Sequence, residues 1–487
     1  MSGNHPALVL GFDSEAFSKL KASPRLAALA AKPPVSGERW VSRFDGPGFE
    51  LAAQGLGLAV SRDDGGAAMQ ILTSEAERHG RWLSPLPGNE PPALPAEFQA
   101  LELLPFAVET LAYQSHRLAL GRAGLRLDLE AGRIDALDRS QPVFRAIIGG
   151  PAMAWRRLVA LARLLMGDYG GELMLAEGDL ALALAQGTLG RARKSRRMGL
   201  HDKIAKGDAL RLIARLCIGQ IAANRPVILD PGGDTVEGVH QMRVGVRRLR
   251  SAINLFRPLL KPALAEKVTA ELKELAAQLG PVRDADVFQE VILDPALAQL
   301  PGHPGLEKLK NDLEAKRVAL LGGAFPAIGG PRFSDLMLTL LDWSETGVSE
   351  GEGDLKSFAV QALEKRHRKL MKAGRDFLNL DPALRHQLRI RGKKMRYAAE
   401  FLHTLFGEGK ARRYLESLTN LVDVLGHLND IAVARRVLEE KRAQDADNAL
   451  HHGIGFAEGW HAGRAALLEE QAIKAWTDFK RQDKFWK

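Results

Sequence analysis

Cysteine is almost absent from this chain: Cys217 is the one thiol among 487 residues. An intramolecular disulfide framework is therefore excluded, and the composition suits a reducing compartment. The sequence also lacks any run of about 18 apolar residues, the length a membrane-spanning helix needs. Its most apolar stretches, Leu158–Met166 and Leu180–Ala185, are short or interrupted. The opening Met1-Ser-Gly-Asn-His-Pro has no charged segment followed by an apolar one, so no secretory signal is visible. These absences lead to the expectation of a cytoplasmic protein with no membrane partner. What is present is 46% hydrophobic residues, enough for buried cores, over a length that suits two or three domains.

Positive charge is in excess, and it is unevenly placed. The formal net charge is +9. Residues 1–190 hold 18 Lys and Arg against 21 Asp and Glu, whereas residues 191–487 hold 50 against 38. Such asymmetry points to a partner carrying negative charge: nucleic acid, an anionic surface or a phosphate polymer. Charge alone does not choose among them.

Pattern divides the chain into three regions. Residues 1–190 mix short strand-like runs (Ala7–Leu10, Gly57–Val60, Met69–Leu72, Leu125–Leu129) with Gly and Pro turns and a Pro-rich loop, Pro85–Pro95. Helical periodicity interrupts them at Ser14–Lys21 and Ala152–Met166. This predicts an α+β domain with antiparallel strands. A basic linker over 191–200 follows, opened by Arg191-Ala-Arg-Lys-Ser-Arg-Arg197, which reads as a solvated hinge or as a phosphate contact. Residues 201–487 are predicted helical, with breaks at Pro226–Gly233, Pro301–Gly305 and Gly322–Pro331.

The helical region repeats itself. His240-Gln-Met-Arg243-Val-Gly-Val-Arg247-Arg248-Leu-Arg250 returns 146 residues later as His386-Gln-Leu-Arg389-Ile-Arg-Gly-Lys393-Lys394-Met-Arg396. Leu279-Gly-Pro-Val-Arg-Asp284 returns at the same offset as Leu425-Gly-His-Leu-Asn-Asp430. The module is duplicated, over about 201–345 and 346–487, and each copy is expected to be a bundle of about four helices.

On a helix advancing about 100° per residue, Arg243, Arg247 and Arg250 lie within roughly 80° of His240, with Arg248 at the border. Val246, Leu249, Ile253 and Phe256 fall opposite and should pack on the bundle. His386, Arg389, Lys393 and Arg396, bordered by Lys394, repeat the stripe, with Met395, Ala399 and Leu402 opposite. Like charges three and four apart destabilise a helix by a few tenths of a kcal/mol per pair, so a stripe present twice asks for an anion. Arg binds phosphate bidentately, Lys as a point charge, and His charges beside phosphate or donates while neutral. Asp284 and Asp430 read either as N-caps of a following helix or as partners fixing a stripe Arg. Asp286 has Ala432 at its equivalent position and no shared role. Lys365, Lys369 and Lys372 share a helical face that widens the channel or is simply solvated. The C-terminal Lys480, Arg481, Lys484, Trp486 and Lys487 look like an exposed helix end. Tyr397 is the aromatic nearest the stripes, and this scarcity disfavours base stacking, so nucleic acid is the weaker partner.

These motifs resemble those of the CHAD family, the conserved histidine α-helical domain, over roughly residues 200–487. The resemblance implies an all-α fold of two pseudo-twofold related four-helix bundles around a basic groove, and association with polyphosphate binding and polyphosphate granules. It implies inorganic polyphosphate as the ligand of His240, Arg243, Arg247, Arg248, Arg250, His386, Arg389, Lys393, Lys394 and Arg396. Residues 1–190 are similar to a CYTH domain, an antiparallel triphosphate tunnel, at Ser42-Arg-Phe44-Asp45 and at Leu127–Ile134. There the chain departs from the pattern. Ala7-Leu-Val9-Leu-Gly11 stands for Glu-x-Glu-x-Lys, Ala59 and Ser61 for two arginines, and Thr73 and Ala183 for two lysines. A later carboxylate cluster is missing around Val143–Ile148. With its metal-holding carboxylates and phosphate-holding cations gone, the domain is expected to be a degenerate tunnel without triphosphatase activity, and no metal or cofactor is assigned. The rival readings are a metal-dependent triphosphatase or polyphosphatase, a nucleic-acid binder, and a scaffold whose N-terminal domain recruits a partner protein.

Overall fold

Alternating burial in the first part of the chain builds one antiparallel sheet in the computed structural model, which describes residues 6–74, 81–86, 98–119, 124–174, 178–196 and 199–487. Its strands are β1 (Ala7–Gly11), β2 (Val35–Asp45), β3 (Leu56–Asp63), β4 (Ala68–Ser74), β5 (Arg81–Pro85), β6 (Leu104–Leu118), β7 (Leu125–Ala136), β8 (Arg139–Gly149) and β9 (Glu172–Met174). Their spatial order is β5-β4-β3-β2-β6-β7-β8-β1-β9. Among the described residues β5 and β9 do not pair, so the sheet is a curled half-barrel rather than the closed tunnel. Apart from Pro85, which ends β5, and the adjacent Leu86, the expected Pro-rich loop lies outside the described residues.

Each sheet face has its own cover. Leu8, Leu10, Leu125, Leu127, Leu129, Ala146 and Ile148 pack with Phe17 and Leu20 of α1 (Ser14–Lys21) and with Leu158, Leu161 and Leu165 of α4 (Trp155–Tyr169). Two shorter helices, α2 (Pro24–Leu29) and α3 (Glu50–Ala53), sit between strands. On the inner face Val41, Ala59, Ile71, Ala107, Leu111, Ile134 and Val143 cluster with Ala181, Leu184 and Ala185 of α5 (Asp179–Ala185).

The rest is helical: α6 (Lys206–Ala223), α7 (Arg225–Leu229), α8 (Thr235–Leu255), α9 (Pro262–Val287), α10 (Asp294–Gln299), α11 (Pro304–Gly329), α12 (Pro331–Thr346), α13 (Leu355–Ala373), α14 (Pro382–Leu402), α15 (Glu408–Gln444) and α16 (Asn448–Lys480). Displaced by 146 residues, α6, α8, α9 and α11 fall on α13, α14, α15 and α16. Both helices are capped by aspartate, one residue out of that register: Asp234 and Asp381 each accept from the backbone three residues on, opening α8 and α14. Equivalent helices also meet each other, α8 against α14 and α11 against α16, as two copies related by a twofold must. The expected apolar faces are buried: Val246, Leu249, Ile253, Phe256, Met395, Ala399 and Leu402 lie in one core.

Several sequence breaks are not breaks. Leu279-Gly-Pro lies inside α9, Leu425-Gly inside α15, and Gly322 to Gly329 inside α11. The basic linker is pinned: Arg193 exchanges backbone hydrogen bonds with the Asn224 side chain, its N–H donating to Oδ1 and its carbonyl accepting from Nδ2. One helix, α12, breaks the repeat by docking the sheet. Leu338 enters the sheet's core, Trp155 Nε1 donates to Asp342 (3.0 Å) and Arg163 Nε to Asp335 (2.8 Å). At the offset of 146 from Phe333 and Leu340 stand Phe479 and Trp486, all four buried. The C-terminus is thus no exposed helix end. Trp486 closes the second core, with its Nε1 and Lys484 Nζ both donating to Glu364. Among the described residues one stretch, Lys206–Leu229, is long and apolar enough by composition to cross a bilayer, but 61% of its most apolar 18-residue window is buried inside the protein.

Candidate anion-binding groove

The two stripes meet along the contact between α8 and α14. Arg247, from the first copy, is close enough to Arg389 and Lys393, from the second, to disfavour charge on both. Lys393 feels this most: burial, then Arg389, Arg247 and Arg396, push its ammonium down from the usual 10.5 to about 7. Among the described residues no carboxylate lies within 4.0 Å of Arg247 or Lys393. The Nε–H groups of Arg247, Arg248 and Arg389 are buried without a hydrogen-bond acceptor, an arrangement native proteins keep only with a reason.

The backbone of neighbouring helices shapes the stripe. Arg243 Nη1 donates to the Ala276 carbonyl of α9 at 2.9 Å. A Cβ at Gly280 would stand 3.3 Å from that same Nη1, and one at Gly426 3.5 Å from Arg389 Nε. The Leu-Gly motifs therefore leave room for the guanidinium groups. Asp284 and Asp430 sit inside α9 and α15, so neither caps a helix. Asp430 stands 3.9 Å from Arg389, and Asp284 acts electrostatically on Arg243. Asp286 is buried and holds Arg317 of α11.

The copies differ at their histidines. His386 Nδ1 pairs with Asn429 Oδ1 at 2.5 Å. In the first copy Arg283 occupies the position of Asn429, and burial together with the Arg283 charge lowers the His240 pKa below its ordinary value. His240 thus faces the groove as a neutral donor. Glu400, which sequence reading passed over, receives Arg248 of α8 at 3.2 Å and Arg396 of its own helix at 3.5 Å. Its spacing of four from Arg396 was the available signal. Arg248 also lies over the Phe401 ring (5.3 Å) and Arg396 over Tyr397 (5.6 Å). Arg250 is half-buried, and Lys394, Lys365, Lys369 and Lys372 are exposed.

The inner face of the sheet corrects the expectation that charge is lost there. Ala7, Val9, Ala59, Ser61 and Thr73 stand where the tunnel pattern has charged groups, yet other strands supply both signs. Arg43 Nε meets Glu109 at 2.5 Å, and Arg145 meets Glu109 at 2.6 Å and Glu130 at 2.7 Å. Arg39 reaches Glu130 and Asp128 and lies 4.2 Å over the Tyr113 ring. Arg43–Glu109 and Arg145–Glu130 link neighbouring strands, whereas Arg145–Glu109 and the pairs of Arg39 each skip one strand, β6 to β8 and β2 to β7. Polar residues alternating with leucine in Leu127-Asp-Leu-Glu130 were the sign of them. The cations already have carboxylate partners, which leaves the cluster self-neutralised. Among the described residues no three His, Cys, Asp or Glu side chains gather as a metal-holding group.

A profile of the CHAD domain matches residues 212–439. No protein of curated function matches the chain. Among solved structures, the chain is similar to the CHAD domain from the plant Ricinus communis, with 30% identity and a TM-score of 0.53, covering 60% of this chain and 97% of that one. It is more distantly similar to PptA from Streptomyces chartreusis, with 17% identity and a TM-score of 0.44, covering 56% and 99%. A Hippeastrum protein proposed as an adenylyl cyclase and described with a dominant triphosphatase activity shares 13% identity, with a TM-score of 0.25, covering 38% and 96%. With its doubled helical module, its two His-led stripes, the profile match and the likeness to the Ricinus communis domain, the chain belongs to the CHAD domain family.

Proposed function

We propose that the groove between α8 and α14 binds inorganic polyphosphate, without chemistry on it, and that the protein acts in the cytoplasm at polyphosphate granules. The observation that carries this reading is the approach of Arg247 to Arg389 and Lys393 with no carboxylate beside Arg247 or Lys393. Cations brought together at an electrostatic cost are stabilised by an anion entering between them. A linear phosphate polymer meets such a groove at every residue, with no base to be read. The resemblance of the motifs to a family associated with polyphosphate supports the same ligand. The ten stripe residues, from His240 to Arg250 and from His386 to Arg396, are its proposed contacts. The half-barrel is proposed to be non-catalytic, because its inner arginines are already occupied by Glu109, Glu130 and Asp128.

Competition tests the ligand. Long-chain polyphosphate and duplex DNA are offered at matched charge while salt is raised, and bound polyphosphate is measured. Polyphosphate should persist to higher salt, with a steep salt dependence. Equal competition by DNA would defeat the reading.

A pH series tests the groove. Lys393 takes up a proton when a polyanion binds, because the bound charge raises its pKa from about 7. Affinity should therefore fall as pH rises from 7 to 9. Calorimetry in two buffers of different ionisation enthalpy should detect this uptake, and Lys393→Arg should flatten the profile. A wild-type affinity independent of pH over that window would remove Lys393 from the site.

A further inference from the structure

We infer that a polyphosphate chain longer than the groove continues over the outer face of α13 and α14, on the second copy only. This rests on the groove reading above. Lys365, Arg368, Lys369 and Lys372 of α13, with Arg391 and Lys394 of α14, are all exposed, and none has a carboxylate within 4.0 Å among the described residues. Arg391 Nη1 donates to the Lys369 carbonyl at 3.3 Å, which joins the two helices' cations into one surface.

Helical geometry connects this surface to the groove. Around α14, Lys393 lies about 20° from His386, Lys394 about 80° on the other side, and Arg391 about 140°. Cations thus pass from the groove side, where Glu400 meets Arg248, round the solvent side to α13. Lys365, Lys369 and Lys372 accordingly extend the groove outward rather than widen it.

The first copy has nothing comparable. At the offset of 146 the positions of Lys365, Lys369, Lys372 and Arg391 are Gly219, Ala223, Pro226 and Gly245. A Cβ at Gly245 would stand 2.8 Å from Ile221 Cγ1, so that position is closed by packing. Arg215 and Gly219 of α6 line a cavity of about 260 Å³ shared with Val9, Arg43 and Thr73 of the sheet. In the first copy this face carries no cation at those positions and Gly219 borders the sheet, whereas in the second copy it is open and basic. The anion therefore has one way out.

The test compares chain lengths on the full protein. Calorimetry measures binding of polyphosphate of about 10 and about 100 phosphates to wild type and to the variant Lys365→Ala, Lys369→Ala, Lys372→Ala, Arg391→Ala, at several salt concentrations. The variant, confirmed folded by circular dichroism, should bind the short chain within about twofold of wild type. It should bind the long chain roughly tenfold more weakly, with a salt slope lower by about 3 for four lost contacts. Unchanged affinity and slope for the long chain would overturn the outer track. Arg247→Ala with Arg389→Ala is the control for the groove and should weaken both lengths. If that variant keeps both, the groove itself is refuted, and the track with it.

Discussion

Replacing Arg243, Arg247, Arg389 and Lys393 together by alanine should abolish polyphosphate binding while leaving the protein folded. Each removed cation forfeits a charge-assisted hydrogen bond, worth about 1.5–3 kcal/mol. Four of them make at least about 6 kcal/mol, roughly ten-thousandfold in affinity. Stability should change little, because these side chains repel one another and the apolar faces beneath them, Val246, Leu249, Met395 and Ala399, are untouched. Arg243 gives up its hydrogen bond to the Ala276 carbonyl and Arg389 its ion pair with Asp430. Titration calorimetry beside a thermal melt separates the two effects. Binding that survives in a folded variant would move the site to another surface.

The largest expected effect on stability lies in the half-barrel, at Glu109→Ala. This carboxylate is fully buried and holds both Arg43 and Arg145, itself 1% exposed. Removing it takes a buried carboxylate from Arg43 and from Arg145, which keeps Glu130, and leaves the buried cluster one negative charge short, which costs about 3–5 kcal/mol, a large share of an ordinary domain's stability. Replacing all three by apolar residues of similar size should cost much less, because no charge is then left unpaired. Urea unfolding decides between these outcomes, and a loss under about 1 kcal/mol for Glu109→Ala would show that water reaches the cluster. The pH dependence has a definite sign. Burial by itself would raise the Glu109 pKa, but Arg43 and Arg145 outweigh it and hold the carboxyl below its usual range. The stabilisation is therefore present above the unfolded carboxylate pKa, about 4.3, and is lost as pH falls through the lower folded value. Polyphosphate binding, seated on α8 and α14, should be unaffected at neutral pH in a variant that stays folded.

The two sites differ in how far they could be read in advance. A stripe at helical spacing is a local pattern, and its recurrence at a constant offset identified both copies and the buried face opposite each. The inner cluster is spread over Arg39, Arg43, Glu109, Asp128, Glu130 and Arg145, on four strands whose order does not follow the chain. Comparison with the tunnel pattern looked for charge at Val9, Ala59 and Thr73, found none there, and so missed charge that had arisen elsewhere. Gly280 and Gly426 misled in another way. They look like helix stops, but the helix continues because the missing side chain is space for Arg243 and Arg389. Trp486 looked like part of an exposed helix end for want of any local sign of the core it enters.

By itself the sequence determined the duplication, the strands and helices with strong periodicity, the apolar face of each stripe helix and the identity of the stripe cations, since each of these depends on residues within a few turns of one another. Tertiary structure alone decided that Arg247 would stand against Arg389 and Lys393, that Lys393 would lose its ordinary basicity, that Glu400 would tie the copies together, and that the second copy's basic outer face would lie open to solvent. Those outcomes depend on which surfaces are brought together and how much water is left between them, and charges at a distance along the chain carry no record of either.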